Sequence, residues 1–339
     1  MAITIKDVAL LAGVSYQTVS RVINNSKNIS PETYKNVTDA IKKLNYYPNS
    51  MARNLNKEIV NAIGLTIPMS AHEITLNTFF SAIIGEVSGI CSQKGIRLNV
   101  FSFDEHNEDA DMIIRLYKEK IIGGVLLTCP GLDIHCIMSL LYNKIPFVII
   151  GRPNLDFGVS YVDIDNEDIA YKATHELLER GHKRIALING PDYMTYSVDL
   201  LSGYKRALSE YNIDLKQAYV LNTNLVFSDS KPSDYEFITQ NDISAIICAN
   251  DNLALGIVGF LKAKNLSIPD DVSLMTLNYN SWFSLLTPSL AGVDMRSSQL
   301  AIEATNMLLA LMFDKSIEPR KVLLKSEMIK GDSIGIAKI

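Results

Sequence analysis

From Ala62 onward the chain alternates short, almost wholly apolar runs with stretches of helical spacing, and few folds accept that pattern. The runs are Ala62–Pro68, Arg97–Phe103, Gly123–Cys129, Pro146–Gly151, Tyr161–Asp163, Arg184–Gly190, Tyr219–Asn222, Ala245–Asn250 and Val272–Asn278. Between them lie amphipathic segments such as Ser81–Lys94, Asp168–Arg180 and Asn252–Lys264. A strand apolar on both faces must be covered on both, and the intervening helices supply the cover, which predicts an α/β fold with parallel sheets. That many βα units suit two doubly wound subdomains better than one sheet.

The first 58 residues obey a different rule. They contain no strand-like run and read as three short helices followed by a fourth, shorter one. They carry eight Lys/Arg against four Asp/Glu, a charge of +4, whereas the rest of the chain carries −9. A small basic head on a large acidic body points to a nucleic-acid-binding module joined to something else. The composition is that of an ordinary globular protein, 47% hydrophobic and 20% charged, which excludes disorder and coiled-coil rods. The four cysteines form no C-x-x-C pair, against a zinc site or disulfide framework and in favour of a reducing compartment. Lys6 and Asp7 interrupt the first apolar stretch, so no signal peptide is expected. No run of about 18 apolar residues occurs to span a membrane, and the expected location is the cytoplasm.

Within the head, Thr4 is placed to cap a helix from Ile5 to Ala12, and Gly13-Val14 forms a tight turn. Ser15 caps a second helix running to about Asn24. Helix, Gly-containing turn, helix is the outline of a helix-turn-helix. The second helix has one apolar face, Val19, Val22 and Ile23, and one polar face, Gln17, Ser20, Arg21 and Asn24, joined by Tyr16. Arg can bond guanine bidentately and Gln adenine, although the same face also fits a solvated surface helix. Ser30-Pro31 opens a third helix with the stripe Tyr34, Val37, Ile41 and Leu44, stopped at Asn45. Asn49 can cap a fourth helix, Ser50–Lys57, that buries little by itself. It reads either as a linker or as a helix that orders on DNA, with Leu55 wedged into a minor-groove step.

The runs Thr4–Ala9, Ala12–Val22, Ser30–Thr33 and Leu44–Asn49 resemble the head of the lac repressor (LacI/GalR) family. That resemblance implies that Tyr16, Gln17 and Arg21 read bases, that Leu55 is a hinge-helix wedge, and that the protein is a homodimer on a pseudo-palindromic operator. The candidate DNA-contacting set is Thr4, Ser15, Tyr16, Gln17, Thr18, Ser20, Arg21, Asn24, Asn49, Met51, Arg53 and Leu55. The resemblance extends through the body, where it implies a periplasmic-binding-protein-like core of two Rossmann-like subdomains joined by three crossovers, with a small effector in the cleft. The expected division is a head at 1–47, a hinge at 48–60 and a core at 61–339. Within the core the first subdomain is expected at about 61–161 and 291–319, and the second at about 162–290 and 320–339.

Ligands of open α/β sheets bind beyond the C-terminal ends of strands. The candidates there are Asn250, as a hydrogen-bonding contact, Asp251, equally readable as a helix cap, Asn278 and Arg152. Phe227 and Trp282 are candidate stacking platforms, unless they are ordinary core. Two departures from the family pattern stand out. The motif Gly203-Tyr204-Lys205-Arg206-Ala207-Leu208 is preceded at the usual Arg position by Leu200, and Thr276-Leu277-Asn278-Tyr279 replaces the usual Gly-Phe/Tyr-Asp-Asp. An Arg at position 200 would clamp hydroxyls or carboxylates and Leu cannot, so an anionic corepressor is disfavoured unless Arg152 supplies the charge. The Asn278 variant, with Val148–Pro153, resembles the maltose-operon repressors of low-GC Gram-positive bacteria.

An enzyme is disfavoured, because no G-x-S-x-G, P-loop, H-E-x-x-H or G-x-G-x-x-G occurs and the five histidines form no i,i+4 metal pair. The expected function is therefore that of a repressor of sugar utilisation genes, with maltose or maltodextrin as the candidate effector and no cofactor. The alternatives are a solute-binding sensor without operator control, and a regulator answering to a phosphosugar or purine.

Overall fold

A computed structural model of the chain describes residues 3–23, 29–46, 60–69, 74, 77–102, 109–128, 134–153, 155–216, 219–225, 232–314 and 316–338. It divides into two compact units, Met1–Val60 and Asn61–Ile339.

The first unit holds helices α1 (Ile5–Ala12), α2 (Tyr16–Ile23) and α3 (Pro31–Lys43). Gly13 closes α1 in the left-handed region at φ +68°, which a residue without Cβ adopts at no steric cost. Ser30 accepts the Thr33 amide hydrogen at the start of α3, with Pro31 at the first helical position. Val8, Val19 and Val37, one from each helix, are fully buried, and Ala9, Val22 and Ala40 complete the small core. Tyr34, expected on that stripe, is instead 47% exposed, and Ala40 takes the inward position.

The second unit contains two six-stranded sheets. In the first, β1 (Ala62–Ile67), β2 (Arg97–Ser102), β3 (Val125–Thr128), β4 (Phe147–Ile150), β5 (Tyr161–Ile164) and β11 (Lys321–Leu324) lie in the order β11-β5-β4-β3-β1-β2, all parallel. Helices α4 (Thr78–Gln93), α5 (Asp109–Lys118), α6 (Ile134–Tyr142) and α11 (Ser297–Phe313) belong with it. The second sheet has β6 (Ile185–Asn189), β7 (Val220–Asn222), β8 (Ala245–Cys248), β9 (Ser273–Thr276), β10 (Ala291–Asp294) and β12 (Glu327–Ile329) in the order β12-β10-β9-β8-β6-β7, with only β12 antiparallel. Helices α7 (Asn166–Glu179), α8 (Thr195–Glu210), α9 (Phe237–Gln240) and α10 (Asp251–Ala263) connect its strands. Strands β1, β3, β4, β8 and β9 are buried along their whole length, as continuous apolar runs require. Among the described residues, no helix is long and apolar enough to cross a membrane.

The chain passes between the sheets three times, and each passage falls later than the sequence suggests. Strand β5 pairs along its whole length with β11 and at Tyr161 and Val162 with β4, β10 pairs with β9 and β12, and β11 returns to the first sheet. The crossings therefore follow Ile164, Asp294 and Leu324, which corrects the expected breaks near 161, 290 and 319. The reason is hydrogen bonding: a strand completes its ladder before the chain leaves. Strands β10, β11 and β12 have no counterpart in the apolar-run reading, because β10 contains Gly292 and β11 and β12 are half-exposed edge strands.

Helices α7 and α8 meet closely at Gly203, where an added Cβ would run into the Glu167 carbonyl and lie 2.8 Å from the Tyr171 nitrogen. Gly259 in α10 has open space at the same position. Gly203→Ala should therefore destabilise the chain by about 1–3 kcal/mol through overpacking. Gly259→Ala should be neutral or stabilising by up to about 1 kcal/mol. Urea unfolding of the two variants checks both; equal midpoints would contradict the close α7–α8 contact.

Candidate functional site

The head presents one long-armed polar face. Helix α2 buries Val19 and Val22 and leaves Tyr16, Gln17 and Arg21 exposed on the other side. Ser15 does a different job: its Oγ accepts the Thr18 amide hydrogen at 3.1 Å and sits 3.0 Å from the Thr18 hydroxyl. Thr4 is likewise a cap, its amide and hydroxyl both donating to Asp7 Oδ2 at 2.7 Å. That pair of donors holds the Asp7 carboxyl below its usual range. Ser20 is half-buried on the flank of α2. Asn24, Asn49, Met51, Arg53 and Leu55 lie outside the described residues.

In the second unit a cleft opens where strands of both sheets end. The first sheet contributes Pro68 after β1, Thr128 at the end of β3, Arg152 beyond β4, and Asp163 and Ile164 of β5. The second contributes Asn250 after β8, Asn278 after β9 and Met295 after β10, with Met194 and Tyr196 from the start of α8. Phe79 and Phe80 of α4 supply an aromatic wall, their rings meeting edge to face at 5.3 Å.

The cap role open to Asp251 in the sequence falls to Asn250, which also lines the cleft. Asn250 is the cap of α10: its Oδ1 accepts the Leu253 amide hydrogen at 2.8 Å and its Nδ2 donates to the Leu225 carbonyl at 2.8 Å. Asp251 is buried and accepts a hydrogen bond from the Thr78 hydroxyl of α4, which ties the two subdomains together. Burial raises the Asp251 carboxyl above its ordinary value, against the pull of that bond. Asn278 is buried and lines the cleft, as the sequence suggests. Trp282 does not line it; the indole sits in a short 3-10 turn, 50% exposed. Phe227 lies outside the described residues.

Arg152 reaches the cleft, where its Nη2 donates to both Asp199 oxygens at 2.5 and 2.6 Å. Asp199 stands on α8 beside Leu200, which is fully buried. Asp163 lies in the same corner, 8% exposed, accepting hydrogens from the Ile164 amide at 2.8 Å and the Asn166 side chain at 3.4 Å. Burial pushes its carboxyl up to about 7, with the Asp199 charge adding to the shift and Arg152 opposing it. Asn166 is 4% exposed, and its side-chain oxygen has no partner. Asp163, Tyr196 and Asp199 are not among the residues that the sequence singles out. A carboxylate inside the apolar run Tyr161–Ile164 was the available signal, since a buried charge needs a reason.

Comparison with known proteins agrees with this layout. Residues 4–49 match the bacterial regulatory proteins of the lacI family, and residues 174–334 match a periplasmic binding protein-like domain. The chain is 32% identical over 338 residues to the HTH-type transcriptional repressor PurR of Vibrio atlanticus (strain LGP32), covering 98% of both proteins. Among solved structures it is similar to the transcriptional regulator CelR in complex with cellobiose, at 27% identity and a TM-score of 0.75, covering 98% of this chain and 99% of that one. It also shares the fold of the lac repressor dimer bound to operator and the anti-inducer ONPF, at 23% identity and a TM-score of 0.86, with the same coverage.

The buried Asp163 carboxyl makes a signed prediction. Its folded value of about 7 lies well above the ordinary carboxylate value, so between the two the folded state holds a proton that the unfolded state has released. Stability from this group is present below the lower value and is lost as pH rises through the upper one. Asp163→Asn should melt higher than the parent at pH 8, with the gap narrowing as pH falls to 5. A gap independent of pH would contradict the shift.

Proposed function

On the premise that the chain belongs to the lacI family of bacterial regulatory proteins, we propose that it represses sugar-utilisation genes, binding a pseudo-palindromic operator as a homodimer and answering to a neutral sugar in the cleft. As a member of that family it is a ligand-responsive transcriptional regulator, not an enzyme.

The observation that carries the proposal is the pairing of an exposed Tyr16-Gln17-Arg21 face with a ligand-sized cleft between two sheets in one chain. A recognition helix needs long donors and acceptors near its N-terminus, able to reach base edges in the major groove. One head offers few such groups, so two heads of a dimer on two half-sites double the contacts. Asn24, Asn49, Met51, Arg53 and Leu55 complete the proposed contact set, Leu55 as the minor-groove wedge. The sugar assignment is supported by the CelR–cellobiose complex and by a cleft that mixes an aromatic wall with amide and carboxyl groups.

In the proposed mechanism the effector contacts both subdomains and favours one angle between them. Asp163, Ile164 and Met295 line the cleft at or beside crossings, so a bound ligand acts directly on the segments about which the subdomains turn. A coupling of about 1–3 kcal/mol is enough to change operator affinity 5- to 150-fold.

Two outcomes follow. A thermal-shift panel of maltose, maltotriose, cellobiose, sugar phosphates and purines should give a hit among the neutral sugars, since a ligand at about 100 times its Kd adds roughly 2.7 kcal/mol. A response only to phosphates or purines would overturn the sugar assignment. On an operator selected from random duplexes, Gln17→Ala should relax one base position per half-site at a cost of about 1–3 kcal/mol. An unchanged base preference would remove Gln17 from the readers.

A further inference from the structure

Among the described residues that line the cleft, Arg152 is the only basic one. In a cleft that took an anion, that guanidinium would be held open toward the ligand. Here it is engaged from the opposite subdomain: both oxygens of Asp199 accept from the same Nη2, at 2.5 and 2.6 Å. The Asp199 side chain is 14% exposed, so the pair is only partly screened by solvent. Across the same corner, the buried Asn166 side chain has its oxygen unpartnered, and an acceptor left bare inside a protein asks for a donor. Asn250, at the other rim, has both ends of its amide engaged by the protein.

We infer that Asp199 is a specificity-determining residue: by neutralising Arg152 it closes the cleft to anions, and the unpartnered Asn166 oxygen selects an uncharged ligand rich in hydrogen-bond donors, such as a polyol or a sugar. The inference rests on the cleft being the effector site and names the charge class it admits. It follows from the chemistry of the corner. A phosphate or carboxylate entering beside Arg152 must displace Asp199 or share the guanidinium with it, placing two negative groups side by side. A hydroxyl donates to Asn166 at no such cost and leaves the ion pair intact. Leu200, on the same helix, offers no second cation to compensate.

The test uses the full-length protein and calorimetric titration with inorganic phosphate and with glucose 6-phosphate. The parent protein should bind neither through Arg152, so Arg152→Gln should leave its titrations unchanged. Asp199→Asn, which keeps the shape and removes the charge, should expose the guanidinium and tighten phosphate binding by about tenfold or more. The double variant with Arg152→Gln should lose that gain. Parent binding of either anion that Arg152→Gln abolishes would overturn the proposal. So would an Asp199→Asn protein that melts cooperatively yet gains nothing. For the neutral arm, Asn166→Leu should weaken a sugar that shifts the parent's melting temperature by about tenfold, and no change would overturn the role of Asn166. The cleft reading itself fails differently, when no compound of any charge both binds the protein and alters its operator affinity; the Asp199→Asn titration with phosphate remains readable in that case.

Discussion

A parallel strand must finish its hydrogen-bond ladder before the chain leaves it, and in this protein that requirement fixes the positions of the three crossings. β5, β10 and β11 each complete their pairing before the chain passes to the other sheet, so the crossings begin at C-terminal strand ends. Backbone groups freed there cannot be buried unsatisfied, and polar side chains collect to meet them. The same ends line the cleft. The crossings and the cleft therefore share residues, Asp163, Ile164 and Met295 among them, and under the proposed function a cleft contact has a short physical path to the angle between the subdomains.

The electrostatics of that corner follow from burial. Asp163 lies in an apolar strand and burial pushes its carboxyl up to about 7, while the Asp199 carboxylate nearby is paired with a cation. Arg152 provides that cation and Asp199 takes it, which ties the end of β4 to α8 across the cleft. Thr78 and Asp251 form a second tie between α4 and α10. Both bonds join opposite subdomains, so a ligand that rearranges either shifts the balance between cleft geometries.

Much of this was legible in the chain. The Gly13 turn, the Ser15 and Ser30 caps and the spacing of Val8, Val19 and Val37 specify the three helices, because caps and periodicity are local signals. The continuous apolar runs gave the inner strands for the same reason. What escaped were features decided by distant partners. Edge strands β11 and β12 owe their structure to neighbours far away in the sequence, and Trp282 stands half-exposed in a short 3-10 turn that no apolar run marks. The ion pair joins positions 47 residues apart, and no periodicity announces such a contact. Leu200 stands where the family pattern has a cation, and the adjacent Asp199 carries the charge that pairs with Arg152.

The central claim is that ligand in the cleft and DNA at the head are linked through the angle between the subdomains. The measurement that tests it most directly is the Kd of a cleft-binding sugar for the full-length protein, with and without saturating operator, alongside the operator Kd with and without saturating sugar. Linkage demands the same factor in both directions. The account predicts equal factors of about 5- to 150-fold. A sugar affinity untouched by operator, with the sugar still bound in the cleft, would contradict it.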